Sequence, residues 1–193
     1  MNGLSEAPES GRSPDTFAAV LGAVSEDFRL YYKADQSFLS RLGAAIYVGL
    51  EPGFWAIVYY RTSHYLGVRG WRFPAVFVMR LNKFLTHADI SYQCRIGRRL
   101  RLPHCADIVV GSTAVIGDDV EILNGVTLGA REIRSNEDRH PKIGNNVFIG
   151  SGAKILGNIR VGDGAKIGAN AVVLSSVDPG RSVTGIPALP HPN

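Results

Sequence analysis

Two of the five histidines, His104 and His140, stand where proton transfer is most easily arranged. Imidazole is the side chain best suited to exchanging a proton near neutral pH. A histidine base also needs a partner that fixes its tautomer, usually a carboxylate. Asp89 is the candidate partner, with thirteen residues between its neighbour Ile90 and His104. The other reading of Asp89 is a cap on the first strand. Arg139 adjoins His140, and a guanidinium there suits a carboxylate held through two parallel hydrogen bonds; the other reading is a solvated loop charge. Zinc competes for the histidines, but a zinc site built on them needs three. His104 and His140 supply two, and the position five beyond His140 is Asn145, so no metal is expected. His64 and His87 read as structural or solvated, and His191 as part of a tail.

The elements that must position these residues are set by a repeat. One apolar residue recurs every six: Ile90, Ile96, Leu102, then Val110, Ile116, Ile122, Leu128, then Ile143, Ile149, Ile155, Val161, Ile167, Val173. Glycine follows at eight of these thirteen positions. Two residues before the mark the side chain is usually small or β-branched, as at Cys94, Ala114, Val120, Val126, Val147, Ala153, Ala165 and Ala171. Six fits neither the 3.6 period of a helix nor the 2 of a plain strand. It fits a short strand and a tight turn, three of which make one coil of a parallel β-helix. The glycines are expected where a turn needs positive φ or leaves no room for Cβ. The repeat breaks twice: the spacing is eight between Leu102 and Val110, and fifteen between Leu128 and Ile143. His104 lies in the first break and His140 ends the second. Function tends to sit where a regular scaffold is interrupted.

Upstream of the repeat the pattern turns helical. Residues 1–14 are polar, without period, and read as disordered. Ser13, Pro14 and Asp15 have the composition of a helix start. Phe17, Val20, Leu21, Val24, Phe28 and Tyr31 follow at helical spacing on one face. Further helices are expected over Ser37–Leu50, Phe54–Leu66 and Phe73–Thr86, with Trp55, Tyr59, Tyr60, Trp71, Phe73 and Phe77 between them as core. The expected fold is therefore α+β: a helical cap over residues 15–87, then a left-handed parallel β-helix over 88–190.

Composition narrows the function classes. The net charge is +4 and spread out. Arg95, Arg98, Arg99 and Arg101 are a surface stripe or a contact for an anionic ligand. Basic residues are not interleaved with aromatics in the manner of a nucleic-acid surface. Cys94 fits an inward repeat position, and Cys105 is core or, less simply, a nucleophile. No disulfide framework, signal peptide or membrane span is legible, since Glu51, Pro52 and Gly53 break the apolar run Ala44–Tyr60. A cytoplasmic protein is expected.

The segments Asp89-Ile90, Ile108–Ile116, Gly125-Val-Thr-Leu-Gly129, Asp138-Arg-His-Pro-Lys-Ile143, Gly152-Ala-Lys-Ile-Leu-Gly157, Gly164–Gly168 and Gly185-Ile-Pro-Ala188 resemble the serine acetyltransferases, among the hexapeptide-repeat acyltransferases. Gly53-Phe54 and Tyr60-Arg-x-x-His64 resemble the same family. The likeness covers about residues 30–188. It implies that His104 takes the proton of a substrate hydroxyl, that Asp89 orients His104, and that the oxygen attacks the thioester of acetyl-CoA. It implies Arg139 at the amino acid's carboxylate with His140 beside it, and Asp35 at the amine. It implies CoA against Gly129-Ala130, Ser151-Gly152 and Gly168-Ala169, in a groove between the subunits of a homotrimer.

Four departures qualify this. Pro103 stands where the family has aspartate before the histidine, and Ser112 where it has glutamate. The expected acceptor is therefore L-serine or a close relative. The alternatives are another small acceptor, such as a sugar or a specialised metabolite, or a β-helix that only binds. The helical part is short, which points to a trimer rather than a hexamer. The chain lacks the extended tail that docks on cysteine synthase, so no such complex is expected.

Overall fold

The computed structural model describes residues 16–31, 38–132, 138–185 and 189–190. The expected disorder of residues 1–14, the helix start at Ser13-Pro14-Asp15, and His191 all lie outside them.

Four helices come first: α1 (Phe17–Tyr31), α2 (Phe38–Leu50), α3 (Pro52–Val68) and α4 (Arg72–Thr86). Pro52 at the first position of α3 costs no helical hydrogen bond, because that N–H has no partner in any helix. Helix α4 ends at His87, whose left-handed conformation (φ 59°) turns the chain into the first strand. The inner face of α1 is Val20, Ala23 and Asp27, while Phe17 and Leu21 lie outside it. The expected aromatic core is only partly present. Tyr60 is fully buried, but Trp71, Phe73 and Phe77 are exposed, because α4 turns Ala75, Asn82 and Thr86 inward.

Every marked residue of the repeat is buried. The strands form three parallel faces. The first stacks Asp89–Ile90, Val109–Val110, Thr127–Gly129, Lys154–Leu156 and Val172–Val173. The second stacks Arg95–Ile96, Val115–Ile116, Lys142–Ile143 and Arg160–Val161. The third stacks Glu121–Ile122, Phe148–Ile149, Lys166–Ile167 and Ser182–Thr184, and closes on Leu189–Pro190, which pairs antiparallel. Leu102, the one mark outside a strand, is held beside the isolated bridge of Arg101 to Glu121.

Register shows how the breaks are absorbed. Regular coils advance by eighteen residues, as from Val109 to Thr127 and from Lys154 to Val172. Asp89 pairs with Val109, two residues further on than a regular coil allows, and Thr127 pairs with Lys154, nine further. Both breaks therefore leave the prism as excursions at its corners, and the inward residues stay in phase.

The glycines that follow the marks serve close stacking, not turn conformation. A Cβ on Gly117 would lie 2.6 Å from Asn145 Oδ1 and 2.7 Å from Gly144 O in the next coil. Positive φ falls instead three residues after the mark, at Asp119, Gly125, Asn146, Gly152, Gly164 and Asn170.

Helices and coils are joined by polar contacts. The Tyr60 hydroxyl donates to Cys94 O at 2.9 Å, and Leu102 N–H donates to the Tyr31 hydroxyl at 2.8 Å. Arg61 donates to both oxygens of Asp27 at 2.5 and 3.0 Å and to Gly97 O at 2.9 Å, and both charged side chains are fully buried.

Candidate active site

The first excursion carries His104. Its positive-φ residue, Asp107, donates its N–H to His87 O at 3.0 Å, and Cys105 Sγ lies 3.3 Å from Thr86 O. The corner is thus docked on the end of α4. Asp89 leaves that same end, and its N–H donates to Ile108 O at 2.8 Å. The two predicted catalytic residues therefore sit on backbone segments that are tied together. The Asp89 carboxylate itself receives Lys83 Nζ at 2.6 Å. The His104 ring is exposed and forms one wall of a cavity of about 680 Å³, with Pro103, Tyr31, Tyr47, Glu51 and Arg101.

The second excursion ends at Arg139 and His140. Thr113 organises this end. Its hydroxyl oxygen accepts the N–H of Arg139 at 3.2 Å and of His140 at 3.3 Å. The same hydroxyl lies 2.8 Å from His140 Nδ1, which also accepts Thr113 N–H at 3.2 Å. An Nδ1 that accepts must be unprotonated, so the neutral ring carries its proton on Nε2. The ring packs over Gly111, where a Cβ would lie 2.0 Å from it. Burial, then the charges of Arg139 and Lys142, hold the His140 pKa below its ordinary value. Lys142 donates to Thr113 O at 2.6 Å and pairs with Asp138 at 3.1 Å.

The predicted cofactor residues fall on the two edges of the first face. Ser151, Gly152, Gly168 and Ala169 lie at the corner between the third and first faces, below His104. Hydrogen bonds run down that corner from coil to coil: Gly125 N–H to Ala106 O (2.9 Å), Gly152 N–H to Asn124 O (2.8 Å), Asn170 N–H to Ser151 O (2.8 Å). Gly129 and Ala130 lie at the opposite edge, where the second excursion leaves. Within one chain, His104 and His140 are therefore on different corners, separated by the width of the first face. Asp35 lies outside the described residues.

Other candidates are spent structurally. Burial pushes the Cys94 thiol up to about 12 and raises Cys105 as well, and both side chains are part of the core, which favours the core reading of Cys105 over the nucleophile. Arg99 pairs with Asp119 at 2.6 Å and Arg101 with Glu121 at 2.8 Å, so much of the arginine stripe is neutralised by the next coil. His64 is buried, with Nδ1 2.7 Å from Tyr92 O. Among the described residues, no group of three His, Cys, Asp or Glu could hold a metal ion, and no helix is long and apolar enough to cross a membrane.

Sequence reasoning missed Thr113 and Glu51 at the site. Thr113 lay within the matching segment Ile108–Ile116, but nothing local gave it a role, because its partner lies twenty-seven residues on. Glu51 carried a weak one, as an acid inside an otherwise apolar run.

Three faces of short parallel strands stacked at a six-residue period define a hexapeptide-repeat protein. The family description "Bacterial transferase hexapeptide (six repeats)" matches residues 140–175. The chain belongs to the serine acetyltransferase family. It is 45% identical over 139 residues to the serine acetyltransferase of Helicobacter pylori strain J99, covering 72% of this chain and 81% of that one. It is 50% identical over 136 residues to that of Salmonella typhimurium, covering 70% of this chain and 50% of the relative, so it spans about half the length of that longer protein. Among solved structures, the serine acetyltransferase of Brucella abortus in complex with coenzyme A aligns with a TM-score of 0.81 at 38% identity, over 90% of this chain and 68% of that one.

Proposed function

We propose that the chain is an acetyl-CoA-dependent O-acetyltransferase acting on the hydroxyl of L-serine or a close relative. The observation that carries this reading is the exposed His104 ring on the wall of the large cavity, on a corner tied to the segment that bears Asp89. His104 takes the hydroxyl proton as the acceptor oxygen attacks the thioester carbonyl. The C–S bond then breaks, and the proton passes to the departing CoA sulfur. The products are the O-acetyl ester and free CoA. Asp89 orients the imidazole once it exchanges Lys83 for His104.

Acetyl-CoA lies along the corner of Ser151, Gly152, Gly168 and Ala169, and reaches Gly129-Ala130 of an adjacent copy. Arg139 grips the acceptor's carboxylate, with the Nε2–H of His140 beside it, and Asp35 contributes at the amine. Because these groups and His104 occupy different corners of one chain, the site is completed by a second copy. A homotrimer of left-handed β-helices supplies that arrangement. The product is an activated amino acid of the kind consumed in cysteine biosynthesis, and the reaction is placed in the cytoplasm.

Pro103 favours a second reading, in which the acceptor is another small hydroxylated molecule. CoA release from acetyl-CoA, measured with L-serine, D-serine and homoserine, separates the two. L-serine is expected to turn over. His104→Ala is expected to lower turnover 100- to 10,000-fold, roughly the worth of a positioned base, without changing the oligomer. Near wild-type activity in that variant would falsify the mechanism.

A further inference from the structure

We propose that Glu51 binds the ammonium group of an amino-acid acceptor in the cavity beside His104. The inference rests on the acetyl-transfer reading and names the residue that selects the acceptor. Glu51 is the one carboxylate among the described residues that line the cavity. The wall directly before the base is Pro103, which has neither a charge nor an N–H to offer. The Tyr31 hydroxyl is engaged by Leu102 N–H. The cationic residue of the wall, Arg101, is held by Glu121 at 2.8 Å. Among the described residues of the wall the uncommitted charge is therefore negative, and it suits a cation.

Among the described residues, Glu51 is also not consumed by the fold. It occupies the position before the first turn of α3, where a side chain can cap the helix, yet it makes no capping hydrogen bond. Among the described residues its carboxylate enters no ion pair. Its charge is felt at the Tyr31 hydroxyl and the Cys105 thiol, both raised first by burial and further by Glu51. Cys105 is the buried residue next to His104, so the carboxylate lies near the segment that carries the base, and both Glu51 and His104 line the cavity. In a 2-amino alcohol the hydroxyl and the ammonium are separated by two carbons. An acceptor that presents its hydroxyl to His104 therefore offers its ammonium to a neighbouring group on that wall. A charged hydrogen bond of this kind is the contact whose loss a site tolerates least.

The test uses the full chain with acetyl-CoA and two acceptors of equal size, L-serine and glycerate, which carries a hydroxyl in place of the ammonium. Wild-type protein is expected to prefer L-serine. Glu51→Gln is expected to raise the KM for L-serine roughly ten- to hundredfold, to leave the KM for acetyl-CoA within about twofold, and to erase most of the preference. Glu51→Asp is expected to fall between. An L-serine KM unchanged in a folded Glu51→Gln protein overturns the assignment and leaves acetyl transfer standing. So does a loss seen in Asp35→Asn and not in Glu51→Gln. Wild-type protein that acetylates glycerate as readily as L-serine overturns it without any variant. Wild-type protein that acetylates no amino-acid hydroxyl overturns both readings.

Discussion

The Thr113 hydroxyl lies 2.8 Å from Nδ1 of His140 while its oxygen accepts the N–H groups of Arg139 and His140. One residue thus meets the ring and the backbone exit of the long excursion: its backbone N–H fixes the ring tautomer, and its side chain holds the exit. Thr113→Val keeps the shape and removes all three contacts. It takes from the buried His140 its N–H acceptor, at about 1–3 kcal/mol. In the acetyl-transfer assay the acceptor KM is expected to rise at least about tenfold, the loss of one well-placed charge-assisted contact, with the KM for acetyl-CoA little changed. Thr113→Ser restores the hydroxyl and is expected to recover activity. Equal behaviour of the Val and Ser variants would remove the positioning role.

His140 also makes a pH prediction. Its folded pKa is depressed, first by burial and then by Arg139 and Lys142, so the folded state resists taking the proton. The unfolded chain takes it near the ordinary value of about 6.5. Above that pH both states are neutral and the residue adds no pH dependence. As pH falls from about 6.5 towards the folded pKa, the unfolded state binds more protons and stability declines. Urea midpoints at pH 7.5 and 5.5 are expected to fall further apart in the wild type than in His140→Gln. A direct check is the NMR titration of its ring protons, in which His140 should titrate below the ordinary histidine value of about 6.5.

Most of this architecture was legible in the chain because a period-six pattern has few physical solutions. The same pattern gave the size of each excursion, since an insertion that kept the inward residues in phase had to leave at a corner. Candidate site residues stood out from the chain itself mainly at those breaks, at His104, Arg139 and His140. Thr113 meets His140 across coils, and Glu51 faces the His104 cavity from the helices, relations that no local spacing connects. The aromatic stripe of α4 shows the opposite failure. Trp71, Phe73 and Phe77 have helical spacing and core chemistry, yet the small and polar residues Ala75, Asn82 and Thr86 are the ones turned inward. Helical periodicity names a face; it does not say which face meets the rest of the chain.

Glycine substitutions separate stacking from conformation. At Gly117 a Cβ would meet Gly144 O at 2.7 Å, and a backbone oxygen of the next coil has little room to yield. Gly117→Ala is expected to cost about 1–3 kcal/mol, the usual toll of overpacking. Gly22, in α1, has nothing within 4 Å of its would-be Cβ. Gly22→Ala is expected to add about 0.5–1 kcal/mol by restraining the unfolded chain and favouring the helix. Urea unfolding of the two variants gives both values, and a neutral Gly117→Ala would mean that the coils can separate locally.

The Asp27–Arg61 pair joins α1 to α3 and, through Gly97 O, to the first coil. Both side chains are fully buried, and Arg61 Nη1 finds no hydrogen-bond partner among the described residues. Burial outweighs the pairing enough to raise the Asp27 pKa, so desolvation is the larger influence on this carboxyl. Removing one partner leaves a buried charge uncompensated, typically about 3–5 kcal/mol. Asp27→Leu is therefore expected to lower stability by that order. Adding Arg61→Met replaces the ion pair by apolar groups and is expected to recover most of the loss, short of the roughly 1–3 kcal/mol for stranding Gly97 O. A double variant no more stable than Asp27→Leu alone would show that Arg61 is retained for its hold on the first coil rather than for its charge partner.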